Sequence, residues 1–344
     1  MRTIRSFPVL AAVLSAVVAG GALAAEGPQA PGSCPSTNEL DNARAWLWTH
    51  TDGASNRVER QQRLAVIQAA CDQLAPETFW GYVKSWTTNA AYADKLERSG
   101  ALYYLSTAQD AAIRDIQRTR VAKGVAVWHL YNMGYVFKTP DACFGVDLHL
   151  RRAAELAPTL DFLLCSHEHG DHRTPALIQA MVAAGKPVLS RGEPGTTVVT
   201  NAGEYRFGSV RVKVDIGDHH REQSTQCNNM LMYQIDCGPA ANDCVIYHSG
   251  DGNNYEKMKP DRKVDVFIFH VAVGMSVEGA IRHIQPRTAL VSHVLELGHS
   301  PKPPNAWRWS YPYAFGTISS FAPDEALVLT WGERWLTPGT VLEN

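Results

Sequence analysis

Three histidines and an aspartate lie within six residues at His167, His169, Asp171 and His172, in the run Ser166-His167-Glu168-His169-Gly170-Asp171-His172. In an extended segment residues i and i+2 point the same way, so His167 and His169 can ligate one metal ion. Gly170 lets the chain turn sharply, so that Asp171 and His172 can face a second ion nearby. Imidazole and carboxylate donors suit zinc, manganese or iron, and the lack of a thiolate ligand argues against a purely structural zinc site. A solvated loop accounts for one or two histidines. It accounts poorly for this density directly after the apolar run Phe162-Leu163-Leu164-Cys165.

Further ligands are expected at later strand ends. Asp218-His219-His220 follows the strand-like Val210 to Val214, Asp251 follows Cys244-Val245-Ile246, and Ala289 to Ser292 ends on His293. Taken singly, His248 reads as strand packing, Asp251 as a turn residue and His293 as a core histidine. Together they extend the first cluster into a candidate set of His167, His169, Asp171, His172, His219, Asp251 and His293. His219 and His220 are adjacent, so either can be the third ligand of the first ion, and spacing from Val212 favours His219. Ligating histidines need acceptors on their other ring nitrogens, and Asp147 near a strand end is a candidate. His270 and His299 are candidates to line the pocket and protonate a leaving group. Trp128, Tyr131, Trp307 and Trp309 could shape an apolar pocket, with core packing the competing role.

The elements that position these residues change character along the chain. From Asn38 to about Arg120 the pattern is helical: Leu64, Ile67, Cys71 and Leu74 share one face, as do Leu105, Ala108, Ala112 and Ile116. This segment holds no catalytic constellation and reads as a cap or packing extension. From Gly124 the texture becomes strand-like, at 125–128, 135–137, 143–148 and 160–165, with a helical stretch at 149–157. Thr174 at N-cap and Pro175 at N1 start a helix that runs to about Ala184 and stops at Gly185. Later strands are expected at 187–190, 196–200, 204–216, 229–237, 244–248, 264–269, 288–292 and 327–331, and a helix near 276–284. Strands interleaved with helices in both halves indicate an α/β protein with two packed sheets.

Composition sets outer bounds. The 344 residues are 45% hydrophobic and 19% charged, so a large buried core is available. A net charge of −2 gives no basic face for a nucleic acid. Arg2 and Arg5, the apolar run Val9 to Val18 and the small residues Gly20 to Ala25 read as a signal peptide over 1–25. The run is short for a membrane span and no later segment reads as transmembrane, so no stable membrane insertion is expected after cleavage; an uncleaved N-terminal anchor is the competing reading. Cleavage moves the mature charge to −4 and implies a periplasmic or secreted protein. In that oxidising compartment the seven cysteines tend to pair. Cys237 and Cys244 bracket a turn-rich hexapeptide and are the first expected disulfide; Cys34 and Cys71 could staple the N-terminal segment, and Cys165 reads as a core thiol.

These motifs resemble the metallo-β-lactamase-fold superfamily, over about residues 121–335. The resemblance is nearest to the branch of the ascorbate-6-phosphate lactonase and N-acyl-phosphatidylethanolamine phospholipase D types. Val125 to Val136 looks like that branch's opening strand pair, Ser249-Gly250-Asp251 like its Gly-Asp metal bridge, and Gly274 to Ala280 like its Met-containing helix start. The opening turn Leu130-Tyr131-Asn132-Met133-Gly134 is bulkier than the family's, and Leu148 stands where Pro is common. The resemblance implies a four-layer αββα sandwich over 121–344, following a helical N-terminal extension over 26–120. It also implies two divalent metal ions, zinc first and manganese or iron as alternatives. His167, His169 and His219 would hold one, Asp171, His172 and His293 the other, with Asp251 bridging.

Two adjacent cations bring a bridging water's pKa toward neutrality and polarise the bond under attack, with Asp171 orienting the nucleophile. The expected function is hydrolysis of an ester, lactone, amide or phosphodiester in a small-molecule substrate. A non-catalytic metal- or ligand-binding protein on the same fold, and an iron-dependent redox enzyme, are the competing classes.

Overall fold

The computed structural model describes residues 34–51, 57–219, 228–319 and 326–343. The proposed signal peptide and His220 lie outside them. Five helices come first: α1 (Thr37–Thr49), α2 (Arg57–Asp72), α3 (Pro76–Thr88), α4 (Ala90–Leu96) and α5 (Gly100–Arg118). Ser36 starts α1 with a capping box: its hydroxyl accepts from the Glu39 amide, while the Glu39 carboxylate accepts from the Ser36 amide at 2.8 Å. The expected helical periodicities are largely realised, with Leu64, Ile67 and Cys71 buried on α2 and Leu105, Ala108, Ala112 and Ile116 on α5; Leu74 falls beyond the end of α2 and is partly buried.

Two seven-stranded sheets follow. A short ribbon of β1 (Val121–Lys123) leads into the first, where β2 (Ala126–Tyr131), β3 (Gly134–Lys138) and β4 (Cys143–Val146) are antiparallel. β5 (Phe162–Leu164), β6 (Val188–Ser190) and β7 (Thr197–Val198) continue it in parallel, with α6 (Pro175–Ala183) between β5 and β6. In the second sheet β8 (Gly203–Phe207), β9 (Val210–Gly217), β10 (Met230–Asp236) and β11 (Val245–His248) are antiparallel. β12 (Val266–His270), β13 (Thr288–Ser292) and β14 (Ala326–Val328) extend it in parallel. α7 (Val277–Ile284) and α8 (Tyr311–Ile318) connect the last three strands, and β15 (Arg334–Leu336) returns to pair with β2 before β16 (Val341–Leu342) pairs with β1.

The inner faces of the sheets bury Val127, Phe137, Phe144 and Phe162 of the first with Val212, Leu231, Ile246 and Ile268 of the second. The outer face of the second packs Phe267, Phe269 and Val291 against Leu64, Leu102 and Leu105 of the helices. The outer face of the first packs Trp128 and Leu163 against Ile113, Ile116 and Leu177. The layers therefore run helix, sheet, sheet, helix, as expected.

Local differences have local causes. The single strand expected over 204–216 is a hairpin, because Phe207 pairs with Val210 around a two-residue turn whose Gly208 has φ 58°. The helical stretch expected over 149–157 is one 3-10 turn, Ala153–Leu156. The expected disulfides are corrected: the six cysteines among the described residues, Cys34, Cys71, Cys143, Cys165, Cys237 and Cys244, are free thiols. Cys237 and Cys244 do meet at the hairpin mouth, where the Cys237 amide donates to the Cys244 carbonyl at 3.0 Å. The Cys237 thiol, however, turns back toward the Ile235 carbonyl at 4.0 Å, and burial pushes its pKa up.

Gly332 shows how closely the helices approach the C-terminal strands. Its φ is 77°, and a Cβ there would lie 2.5 Å from the Ala108 carbonyl oxygen and 2.6 Å from the Trp48 ring. Gly332→Ala is therefore expected to destabilise by more than the roughly 1 kcal/mol of a compatible backbone substitution, measured by denaturant unfolding.

Candidate metal centre

The first cluster leaves β5 through a bend at His167 and Glu168, and Gly170–His172 close into a single 3-10 turn. Pro175 opens α6 as expected, but Thr174 does not cap it with its side chain. Its hydroxyl instead accepts from the Leu150 amide at 3.1 Å and donates to the Leu148 carbonyl at 3.0 Å, tying the loop after β4 to the cluster.

All seven expected side chains converge. The ligand atoms of His167, His169, His219 and Asp251 lie within 4.8 Å of one another, and those of Asp171, His172 and His293 form a second such group. Asp251 stands between them. Its Oδ2 is 3.8 Å from His167 Nε2, 3.9 Å from His219 Nε2 and 3.1 Å from His172 Nε2, and its Oδ1 is 3.8 Å from His293 Nε2. Asp171 Oδ2 lies 3.4 Å from His172 Nε2 and 3.3 Å from His293 Nε2.

The donor set fits divalent cations. His167 Nε2, His172 Nε2, His293 Nε2 and Asp251 Oδ1 are buried without a hydrogen-bond partner. Leaving such groups unsatisfied costs about 1–3 kcal/mol each. Evolution tolerates that cost where a cation completes the set, and buried imidazole with carboxylate is the chemistry zinc, manganese and iron accept.

The outer contacts fix ring orientation. Asp147 Oδ1 accepts from the Ser166 amide at 2.7 Å, and its Oδ2 accepts from the Ser166 hydroxyl at 2.7 Å and lies 3.0 Å from His172 Nδ1. A proton on Nδ1 of His172, donated to Asp147, leaves the Nε2 lone pair aimed at the cluster. Ser166 Oγ is 2.9 Å from His167 Nδ1. Asn132 donates from Nδ2 to Asp171 Oδ2 at 3.0 Å. Asn132, Asp147 and His293 have φ of 47°, 50° and 61°, a strained region for non-glycine residues that here surrounds one site. We expect Asp147→Asn to weaken metal affinity by roughly 10- to 100-fold, measured by competition with a chelating indicator.

Charge coupling follows the geometry. Burial alone would lower His172, but Asp251 and Asp171 beside it hold it well above its usual range. Burial works to raise Asp171, yet His172 and His293 keep it well below the carboxylate range. Burial pushes His167 well down, and the facing His172 adds to this.

A cavity of about 620 Å³ opens over Asp171, Asp251, His219, His270 and His293. His270 stacks on His293 with centroids 4.0 Å apart, and its Nδ1 accepts from the Ala272 amide at 3.0 Å. His299 borders the cavity with Nδ1 2.5 Å from Glu296 Oε2. His248 packs in its strand as expected, with Nε2 2.8 Å from the Met133 carbonyl oxygen. Of the four expected pocket aromatics, Trp307 and Trp309 line the cavity. Trp128 and Tyr131 do not: the first is core and donates to Asp115 at 2.8 Å, the second accepts from the Leu297 amide at 2.8 Å. Sequence reasoning missed Asn132 and Trp80, the latter on the cavity wall. The left-handed tolerance of asparagine in the bulky turn before Gly134 was the signal for the first; nothing local marked the second.

The sequence model described as the beta-lactamase superfamily domain matches residues 135–290. No curated protein matches the sequence. Among solved structures, the chain is similar to a possible metal-dependent hydrolase from Veillonella parvula, with 12% identity over 62% of this chain and 99% of that one and a TM-score of 0.49. It is also similar to Igni18, a metallo hydrolase from Ignicoccus hospitalis, with 13% identity over 64% and 98% and a TM-score of 0.45. A third is CmlA, a diiron beta-hydroxylase from Streptomyces venezuelae, with 14% identity over 62% of this chain and 54% of that one and a TM-score of 0.44.

Proposed function

We propose that this protein is an exported hydrolase that uses two divalent cations, zinc first, to cleave an ester, lactone, amide or phosphodiester bond in a small-molecule substrate. The observation that carries this reading is the convergence of four buried, unpartnered ligand atoms beneath an open cavity. When bound, the cations would supply Lewis acidity and a hydroxide nucleophile near neutral pH. His167, His169 and His219 would hold one and Asp171, His172 and His293 the other, with Asp251 reaching both.

The chain's own groups then have distinct tasks. Asp171, held by Asn132, orients the attacking water. Asp147 and Ser166 fix the His172 and His167 rings. With Nδ1 accepting from Ala272, His270 carries its proton on Nε2 and is set to donate to a developing oxyanion. His299, backed by Glu296, is placed to protonate the leaving group.

Assay of lactones, esters, amides and phosphodiesters on zinc-, manganese- and iron-loaded protein tests the reading. Turnover of one class that needs the metal supports it, and oxidation of a substrate by the iron form alone would favour the redox class. Export rests on Arg2, Arg5 and the apolar run that follows. No helix of the described residues is long and apolar enough to cross a membrane. N-terminal sequencing of protein from the cell exterior should begin near residue 25 or 26.

A further inference from the structure

We propose that Trp80 of the helical segment, with Trp307 and Tyr313, forms an aromatic subsite for an uncharged apolar arm of the substrate, an aryl ring or short alkyl chain beside the bond that is cut. The word substrate rests on the hydrolase reading; the subsite rests on geometry.

Large hydrophobic side chains are exposed at seven of the described positions, and three of these border the cavity over the candidate ligands: Trp80 at 40%, Trp307 at 57% and Tyr313 at 48%. Singly exposed apolar residues are ordinary, whereas a group at a cavity mouth marks a binding surface. Trp80 is held in place. Its Nε1 donates to the Gly298 carbonyl at 3.1 Å, and its ring meets Phe79 edge-on at 5.3 Å. Gly298 is required for this approach, because a Cβ there would lie 2.5 Å from the indole.

The aromatic wall continues inward to the ligand set. Trp307 stands edge-on to His299 at 5.6 Å, and Trp309 to His270 at 4.7 Å and His293 at 5.8 Å. Among the described residues the cavity lining includes no lysine or arginine. A phosphate or free carboxylate on the arm would meet no lysine or arginine among these residues, which favours an uncharged arm. Its volume is within the range of small-molecule sites. The helices of residues 37–118 thus contribute a wall of the site as well as a packing layer.

The test uses 4-methyl- to 4-butylphenol, neutral probes that need no cation, titrated calorimetrically into the full chain whose metal content is measured on the same sample. Affinity should rise about three- to fourfold per added methylene. Trp80→Ala should flatten the series to under twofold per methylene, Gly298→Ala should do the same by displacing the indole, and Trp80→Phe should restore most of the slope. Should Trp80→Ala fail to fold, Tyr313→Ala at the rim takes its place and should also lower the slope. Affinity independent of chain length, or unchanged in these variants, overturns the proposal. Metal-dependent turnover without a chain-length slope would remove the subsite and leave the hydrolase reading standing. A slope without metal or turnover would do the reverse.

Discussion

Asp251→Asn will abolish metal-dependent turnover while leaving the apo fold unchanged. The carboxylate reaches both ligand groups, lying 3.1 Å from His172 and within 3.9 Å of His167, His219 and His293. An amide keeps its volume but offers one oxygen and no charge. The loss should exceed the roughly 10- to 100-fold of an outer-contact change and reach at least about a thousandfold, the scale of losing one stabilising group for developing charge. Metal binding adds stability as RT ln(1 + [L]/Kd), about 2.7 kcal/mol at a hundredfold excess over Kd. The variant should therefore lose the metal-induced rise in Tm expected of the parent. Retained turnover and an undiminished metal-induced rise would remove Asp251 from the centre.

A comparable loss, of stability this time, is expected far from the candidate metal centre. Arg60 on α2 and Glu333 before β15 form a pair at 2.6 Å, and both side chains are buried. Arg60 also donates to the Val328 carbonyl at 3.0 Å, and Glu333 accepts from the Thr330 amide at 2.9 Å. Burial raises the Glu333 pKa even with Arg60 present to oppose it. Glu333→Ala leaves the guanidinium buried without its counter-ion and should cost about 3–5 kcal/mol. The double substitution Arg60→Met with Glu333→Leu removes both charges and should recover most of that loss. Calorimetric or denaturant unfolding of the three proteins checks this, and a single-variant cost below about 1 kcal/mol would contradict it.

How far the sequence carried this account depended on whether a signal was local. The apolar runs that became the sheets were readable because a strand buried on both faces is nearly continuous in Val, Ile, Leu and Phe, as in Val266–His270. The candidate ligand positions were readable because they sit where such runs stop: His167 just past β5, Asp251 past β11 and His293 past β13. His219 follows β9 in the same way. Asp147 was readable as an acceptor because its strand ends beside the cluster.

What was unreadable depended on tertiary approach. Trp80 lies in a helix with no chemical motif and meets the cavity through Gly298, 218 residues away. Asn132 holds Asp171 only because β2 turns into β3 beneath the cluster. Trp128 and Tyr131, adjacent to the same turn, point into cores because outer-face burial won over pocket lining. The hairpin cysteines could be placed opposite one another, but the direction of the Cys237 thiol follows from its rotamer and not from spacing.

The most direct test of the central claim is metal stoichiometry by elemental analysis after zinc loading and exhaustive exchange into metal-free buffer. Two zinc ions per chain are expected in the parent, with fewer in Asp251→Asn. A parent protein that retains no zinc, manganese or iron under these conditions would contradict the account.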